Sequence, residues 1–224
     1  MLIQKYEDHI PKDTYEVLVQ EGITELRPCQ KKAIEKGLMQ GRSMIVCSPT
    51  ASGKTLVGEM ACINTIVHQG KKAVYIVPLK ALANEKFRDF KKRYGNKIKI
   101  ALSIGDLDEA ESYLANYDLI ICTAEKLDSL LRHHTPWITS VKTIVVDEIH
   151  LLNDPGRGPT LEVLMTLLRQ VIPGLQIIGL SATIGNPEML AAWLEAELVL
   201  DGWRPVKVHE GVYLDGEIEF VEKD

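Results

Sequence analysis

Ser48-Pro49-Thr50-Ala51-Ser52-Gly53-Lys54-Thr55 follows a short apolar run and opens a helical pattern over 54–68. A glycine-containing turn between a strand and a helix aims successive backbone N–H groups, and the positive end of the helix dipole, at an anion. In that setting Lys54 would reach the β- and γ-phosphates of a nucleotide, and the Thr55 hydroxyl would ligate Mg²⁺. Further along, Ile144-Val145-Val146-Asp147-Glu148 is an apolar run ending in two carboxylates. Asp147 would hold Mg²⁺ through water, and Glu148 would orient or deprotonate an attacking water. Each motif alone has a plainer explanation. A Gly-Lys turn can start a helix and bind nothing, and the full phosphate-loop pattern would begin with glycine where Ser48 stands. Paired acids also decorate helix starts because they suit the dipole. Both motifs at strand ends of one pattern, in this order, point to a triphosphate site.

Those residues need a scaffold. Strands are expected at 44–47, 73–77, 99–103, 119–122, 143–146 and 176–180, most of them continuous apolar runs. Such runs suit a parallel sheet covered on both faces. Helical patterns at 54–68, 79–94, 124–132, 160–170 and 187–195 alternate with them, and 12–20 and 28–39 form a lead-in. The expected fold class is α/β, doubly wound, with a mostly parallel sheet and helices on both faces. A lead-in over 1–25, one α/β domain over 26–200 and a linker over 201–224, with short strand-like pieces at 198–200 and 206–213, complete the expected organisation.

Asp147-Glu148-Ile149-His150 is a DExH box, and with the Ser-x-Thr-x-x-Gly-Lys-Thr loop it resembles superfamily 2 helicases, which implies a RecA-like P-loop fold and a first motor domain over 26–200. Leu26-Arg27-Pro28-Cys29-Gln30 resembles the family's Q-type motif, which implies nucleotide contacts from Arg27 and Gln30, with Gln30 on the adenine edge. Val77-Pro78-Leu79-Lys80-Ala81-Leu82 resembles motif Ia, Thr123-Ala124-Glu125-Lys126 motif Ib and Ser181-Ala182-Thr183 motif III. The resemblance implies that Pro78, Lys80, Thr123, Glu125 and Lys126 meet a nucleic-acid backbone. It also implies that His150 with Ser181, Ala182 and Thr183 couples nucleotide state to that strand. Pro-Thr-Ala-Ser-Gly-Lys-Thr, Val-Pro-Leu-Lys-Ala-Leu-Ala and Trp-Arg-Pro-Val are similar to the archaeal fork-processing DNA helicases of the Ski-two-like branch. That likeness implies Mg-ATP hydrolysis and 3′-to-5′ movement on single-stranded or forked DNA during fork repair. It also implies a second motor domain that carries the arginine finger. No Gln-x-x-Gly-Arg-x-Gly-Arg stretch occurs in the sequence, so the 224 residues are expected to be a poorly active first half of a motor. An RNA helicase domain of the same branch, a P-loop NTPase of another class and a non-enzymatic nucleic-acid clamp are the rival readings.

The formal net charge of −5 argues against bulk coating of nucleic acid, so contacts must be local. With 46% hydrophobic and 25% charged residues the composition is that of a globular protein, and no apolar run suggests a membrane span. Cys29, Cys47, Cys62 and Cys122 are widely spaced, which fits reduced, buried thiols of a cytoplasmic protein. The basic run Lys91-Lys92-Arg93 with Lys97 and Lys99 reads as a solvated face, and His133-His134 as surface. Asp106, Asp108, Glu109 and Glu111 read as an acidic helix start, and Trp137, Trp193 and Trp203 as core anchors.

Overall fold

A computed structural model describes residues 1–105, 111–133, 135–182, 184–206, 211–214 and 216–220. The six expected strands form as β1 (Met44–Cys47), β2 (Lys72–Ile76), β3 (Ile100–Ser103), β4 (Leu119–Cys122), β5 (Val141–Asp147) and β6 (Gln176–Ser181). The edge piece near residue 198 becomes β7 (Glu197–Leu200), hydrogen-bonded to β1. Among the described residues these form one sheet in the order β3-β4-β2-β5-β6-β1-β7, with every neighbouring pair parallel.

Parallel neighbours need crossovers, which α3 (Lys54–Ile63), α4 (Lys80–Tyr94), α5 (Ala124–Arg132), α6 (Gly158–Val171) and α7 (Pro187–Leu194) supply, while α1 (Lys12–Gln20) and α2 (Pro28–Glu35) precede β1. Alternate strand residues face alternate layers. Met44, Val46, Tyr75 and Ile121 pack with Leu18, Ile34, Met60 and Phe90 of α1 to α4. Ile45, Val74, Ile76 and Ile120 pack with Leu127, Leu130, Leu164 and Leu194 of α5 to α7. This arrangement is the expected RecA-like fold. Ile3, Tyr6 and Ile10 join the first cluster, so residues of the expected lead-in share the core beside the sheet.

Three departures have local causes. The helix expected to run to 39 stops at Glu35 because Gly37 turns with φ 96°. The helix expected over 54–68 loosens into a π-helical turn at Asn64–His68. Buried Asn64 accepts from Thr14 and donates to the Met39 carbonyl there, while Thr65 meets Thr143. Beyond residue 206 the described chain forms an antiparallel hairpin, β8 (Gly211–Leu214) and β9 (Glu217–Phe220), rather than one strand over 206–213.

Candidate functional site

The phosphate loop leaves β1 at Ser48, whose N–H donates to the Ser181 carbonyl at 3.1 Å and so ties the loop to the end of β6. Ser52 N–H closes a turn onto the Pro49 carbonyl, and Ala51 (φ 64°) and Gly53 (φ 92°) take left-handed conformations. At Gly53 a side chain is excluded twice over: a Cβ would lie 2.5 Å from Gln30 Nε2 and 2.8 Å from Arg27 Cδ. Lys54 then opens α3 and is 8% exposed. Its ammonium has no ion pair among the described residues. The buried Ser48 and Ser52 hydroxyls also lack hydrogen-bond partners. A buried cation and two unsatisfied hydroxyls beside a helix N-terminus are groups whose missing partner is an anion.

Arg27 and Gln30 brace this loop. Gln30 Nε2 donates to the Gly53 carbonyl at 2.8 Å, and Gln30 Oε1 accepts from Arg27 N–H at 2.8 Å. Arg27 Nη1 donates to the Ala51 carbonyl at 2.5 Å, and its guanidinium lies 5.7 Å from the Trp203 ring. Both polar atoms of the Gln30 amide are therefore engaged, and the side chain is 2% exposed. Arg27, Gln30, Gly53, Thr55, Lys86 and Trp203 border a cleft of about 910 Å³.

Across the sheet, β5 delivers Asp147 and Glu148. Asp147 Oδ2 lies 3.3 Å from the Tyr75 hydroxyl and 3.6 Å from Lys86 Nζ, and Oδ1 accepts from Glu148 N–H at 3.2 Å. Burial, reinforced by Asp147 and Glu59, pushes the Tyr75 phenol well above its usual range, so it stays a neutral donor. Glu148 is left-handed (φ 54°), a conformation that costs a non-glycine residue about 1–3 kcal/mol. It turns the carboxylate toward His150, whose Nδ1 is 3.3 Å from Glu148 Oε2 and 3.2 Å from Ser181 Oγ. Ala182 follows Ser181 in the strand-end turn, and Thr183 lies outside the described residues.

The strand ends also gather the residues assigned to nucleic acid, with one correction. Pro78 follows β2, its carbonyl accepting from Arg157 Nη1 at 3.3 Å, and Lys80 is exposed at the first turn of α4. Pro78, Glu125 and Arg157 line one narrow crevice with Asp147 and Glu148. The Thr123 hydroxyl caps α5 through Lys126 N–H at 3.4 Å. Lys126, expected at a phosphate, instead points inward: its side chain is 1% exposed and its ammonium is 3.6 Å from Glu111 Oε1. Glu111 does stand at the entry of a helical turn, Ser112–Asn116, but its carboxylate accepts from Ser103 and pairs with Lys126 instead of capping that turn. Asp106, Asp108, Glu109 and His134 lie outside the described residues. Of the tryptophans Trp137 is buried, whereas Trp193 and Trp203 are exposed at 36% and 40%, correcting their reading as core anchors.

Sequence reasoning missed Tyr75, Lys86, Glu59 and Arg157. For Lys86 a signal existed. It sits in the stripe Ala83, Lys86, Phe90 and Tyr94, where 3- and 4-residue steps mark the buried face of α4. Arg93, in the basic run, pairs with the buried Glu59 carboxylate of α3, which also accepts from the Tyr94 hydroxyl at 2.9 Å.

The profile of the DEAD/DEAH box helicases matches residues 27–190, the span that carries the phosphate loop, the DExH box and the stretches resembling motifs Ia, Ib and III. The chain belongs to the DEAD/DEAH box helicase family. Among relatives of this family, the ATP-dependent DNA helicase Hel308 of Methanocaldococcus jannaschii is 55% identical over 213 residues, 92% of this chain and 18% of that protein. Hel308 of Pyrococcus abyssi is 53% identical, over 90% of this chain and 28% of its own length. A solved structure of the DUF1998 helicase MrfA bound to DNA and AMPPNP superposes with a TM-score of 0.72 at 27% identity, covering 87% of this chain and 30% of MrfA. The resemblance to archaeal DNA helicases drawn from the motifs is matched by these relatives. The chain spans under a third of each of these three helicases.

Proposed function

We propose that this chain is the ATP-binding first motor domain of an ATP-dependent DNA helicase. The observation that carries the reading is the convergence, at the carboxyl ends of β1 and β5, of an unpaired buried Lys54 and the Asp147-Glu148 pair. Ligands of open parallel sheets collect at that edge. Lys54 and the loop N–H groups take the charge of the β- and γ-phosphates. Glu148, fixed by its left-handed backbone and its contact with His150, orients the attacking water and accepts its proton. Arg27 and Gln30 hold the loop in shape beside the cleft in which the base would lie.

The donors at the metal position are all oxygens, the Thr55 hydroxyl and the Asp147 carboxylate, as Mg²⁺ prefers. A cation, Lys86, is already drawn to the Asp147 carboxylate, which supports that position as one that attracts positive charge. Bound there, Mg²⁺ would neutralise phosphate charge.

Pro78, Lys80 and the α5 N-terminus at Thr123 supply the nucleic-acid face, with Arg157 beside them. DNA is preferred because the relatives named above are DNA helicases. The finer reading, 3′-to-5′ movement on single-stranded or forked DNA in fork repair and in the cytoplasm, is supported by the motif resemblance. Among the described residues no helix is long and apolar enough to cross a membrane. An arginine finger from a second motor domain contributes on the order of 10³ to 10⁵ in rate in related NTPases. This chain alone therefore hydrolyses ATP slowly. Turnover measured with and without single-stranded DNA, with Glu148→Gln as the blank, tests the assignment. Slow, Glu148-dependent turnover is expected; turnover equal in the blank would refute it.

A further inference from the structure

One half-buried cation lies beside Asp147 without belonging to any of the helicase motifs named above. Lys86 leaves the buried stripe of α4, passes 5.6 Å from the Tyr75 ring centroid, and brings its ammonium 3.6 Å from Asp147 Oδ2. Its side chain is 19% exposed, so solvent screens the contact only in part. On its far side stands the buried Glu59 carboxylate, whose ionised form Lys86 favours but which Arg93 and the Tyr94 hydroxyl already serve. Lys86 thus has two carboxylates within electrostatic reach and is committed by short contact to the one on β5.

We propose that Lys86 is a positioning residue that occupies the charge position of the divalent cation: it holds the Asp147 carboxylate while the nucleotide is absent and yields it when Mg-ATP binds. The inference rests on the reading of Asp147 as an Mg²⁺ ligand. Two cations competing for one carboxylate are negatively linked, so Lys86 raises the Mg²⁺ concentration needed for nucleotide binding. When Lys86 is displaced, Glu59 is the acceptor toward which it can turn. The consequence is mechanical. Lys86 sits on the helix whose first turn is Lys80 and whose entry is Pro78. Occupancy of the metal position is therefore felt by the same rigid element that carries motif Ia.

The experiment is an Mg²⁺ titration of fluorescent ATP-analogue binding, read by anisotropy, for the full chain and its Lys86→Met and Lys86→Arg variants. Thermal melts of each variant check folding. Lys86→Met is expected to lower the Mg²⁺ midpoint about five- to tenfold, within the usual range of such couplings. Lys86→Arg, which keeps the charge, should stay near the unaltered midpoint. A Lys86→Met midpoint that is unchanged or raised would overturn the proposal, as would affinity reduced equally at every Mg²⁺ concentration, the mark of a purely structural lysine. If Lys86→Met does not fold, Lys86→Gln gives the same reading. Failure of the unaltered chain to bind the nucleotide at any Mg²⁺ concentration would instead remove the ATP-site assignment, and this inference with it.

Discussion

His150 Nδ1 lies 3.2 Å from Ser181 Oγ, joining the residue that ends the DExH box to the end of the neighbouring strand. The same Ser181 accepts the Ser48 N–H through its carbonyl, so one residue touches the phosphate loop and the histidine beside Glu148 through different atoms. Ser181→Ala removes only the hydroxyl interaction. Because His150 keeps Glu148 at 3.3 Å, the expected cost is about 1 kcal/mol in chemical denaturation, the size of one net hydrogen bond. Mg-ATP affinity should persist, since the carbonyl still holds the loop. Loss of nucleotide binding in this variant would place Ser181 Oγ in the phosphate site itself.

Lys80 and Lys126 carry the same charge in neighbouring motifs, yet the structure separates their roles. Lys126→Ala leaves Glu111 buried without its cation, and should cost about 3–5 kcal/mol, or on the order of 10 °C in melting temperature. Lys80→Ala removes an exposed charge, so stability should stay within about 0.5 kcal/mol. Single-stranded DNA binding should weaken, and its salt dependence should become shallower by about 0.7 in log-log slope, because one phosphate fewer is neutralised. Equal destabilisation by the two substitutions would contradict the burial difference.

Glu59 makes a pH prediction. Burial raises its carboxyl above the ordinary 4.5, and Arg93 and Tyr94 offset that only in part. The folded state therefore binds the proton more tightly than the unfolded chain does. The contribution of Glu59 to stability is full below about pH 4.5 and falls as pH rises through the higher folded value. Measured as unfolding free energy against Glu59→Gln, the unaltered chain should gain relative stability as pH is lowered from 7 toward 5. A relative loss over that interval would mean that the ion pair with Arg93 outweighs desolvation.

The four cysteines are buried, and burial raises each thiol, Cys122 to about 12. Thiolate is the reactive form, so the folded chain at pH 8 should show no fast reaction with a disulfide reagent, and four equivalents after denaturation. A fast-reacting thiol in the folded state would reveal local opening near that residue.

The sequence was most readable where chemistry and fold are both local. Lys54 and Asp147 could be assigned because a loop at a strand end positions them within a few residues of chain. The apolar runs of β1 to β6 likewise announced a sheet covered on both faces. What escaped reading depends on distant partners. The piece at 198–200 read as strand-like, but its place in the sheet did not: β7, with only Val199 fully covered, is set there by its pairing with β1. Lys126 looked like a surface cation because its partner, Glu111, comes from another part of the chain. Gln30 was legible as a nucleotide-site residue, but its bond to the Gly53 carbonyl follows only once α2 and α3 are packed. Tyr75 alternates regularly along β2, and nothing local says that its hydroxyl meets Asp147.

Equilibrium binding of Mg-ATP to the unaltered chain and to Lys54→Ala tests the central claim most directly. Removing the buried ammonium should abolish measurable binding or weaken it at least about tenfold, since hydrogen bonds to charged groups are among the strongest in proteins. The melting temperature should hold or rise, because Lys54 has no carboxylate to leave unpaired among the described residues. Undiminished Mg-ATP affinity in Lys54→Ala would contradict the account.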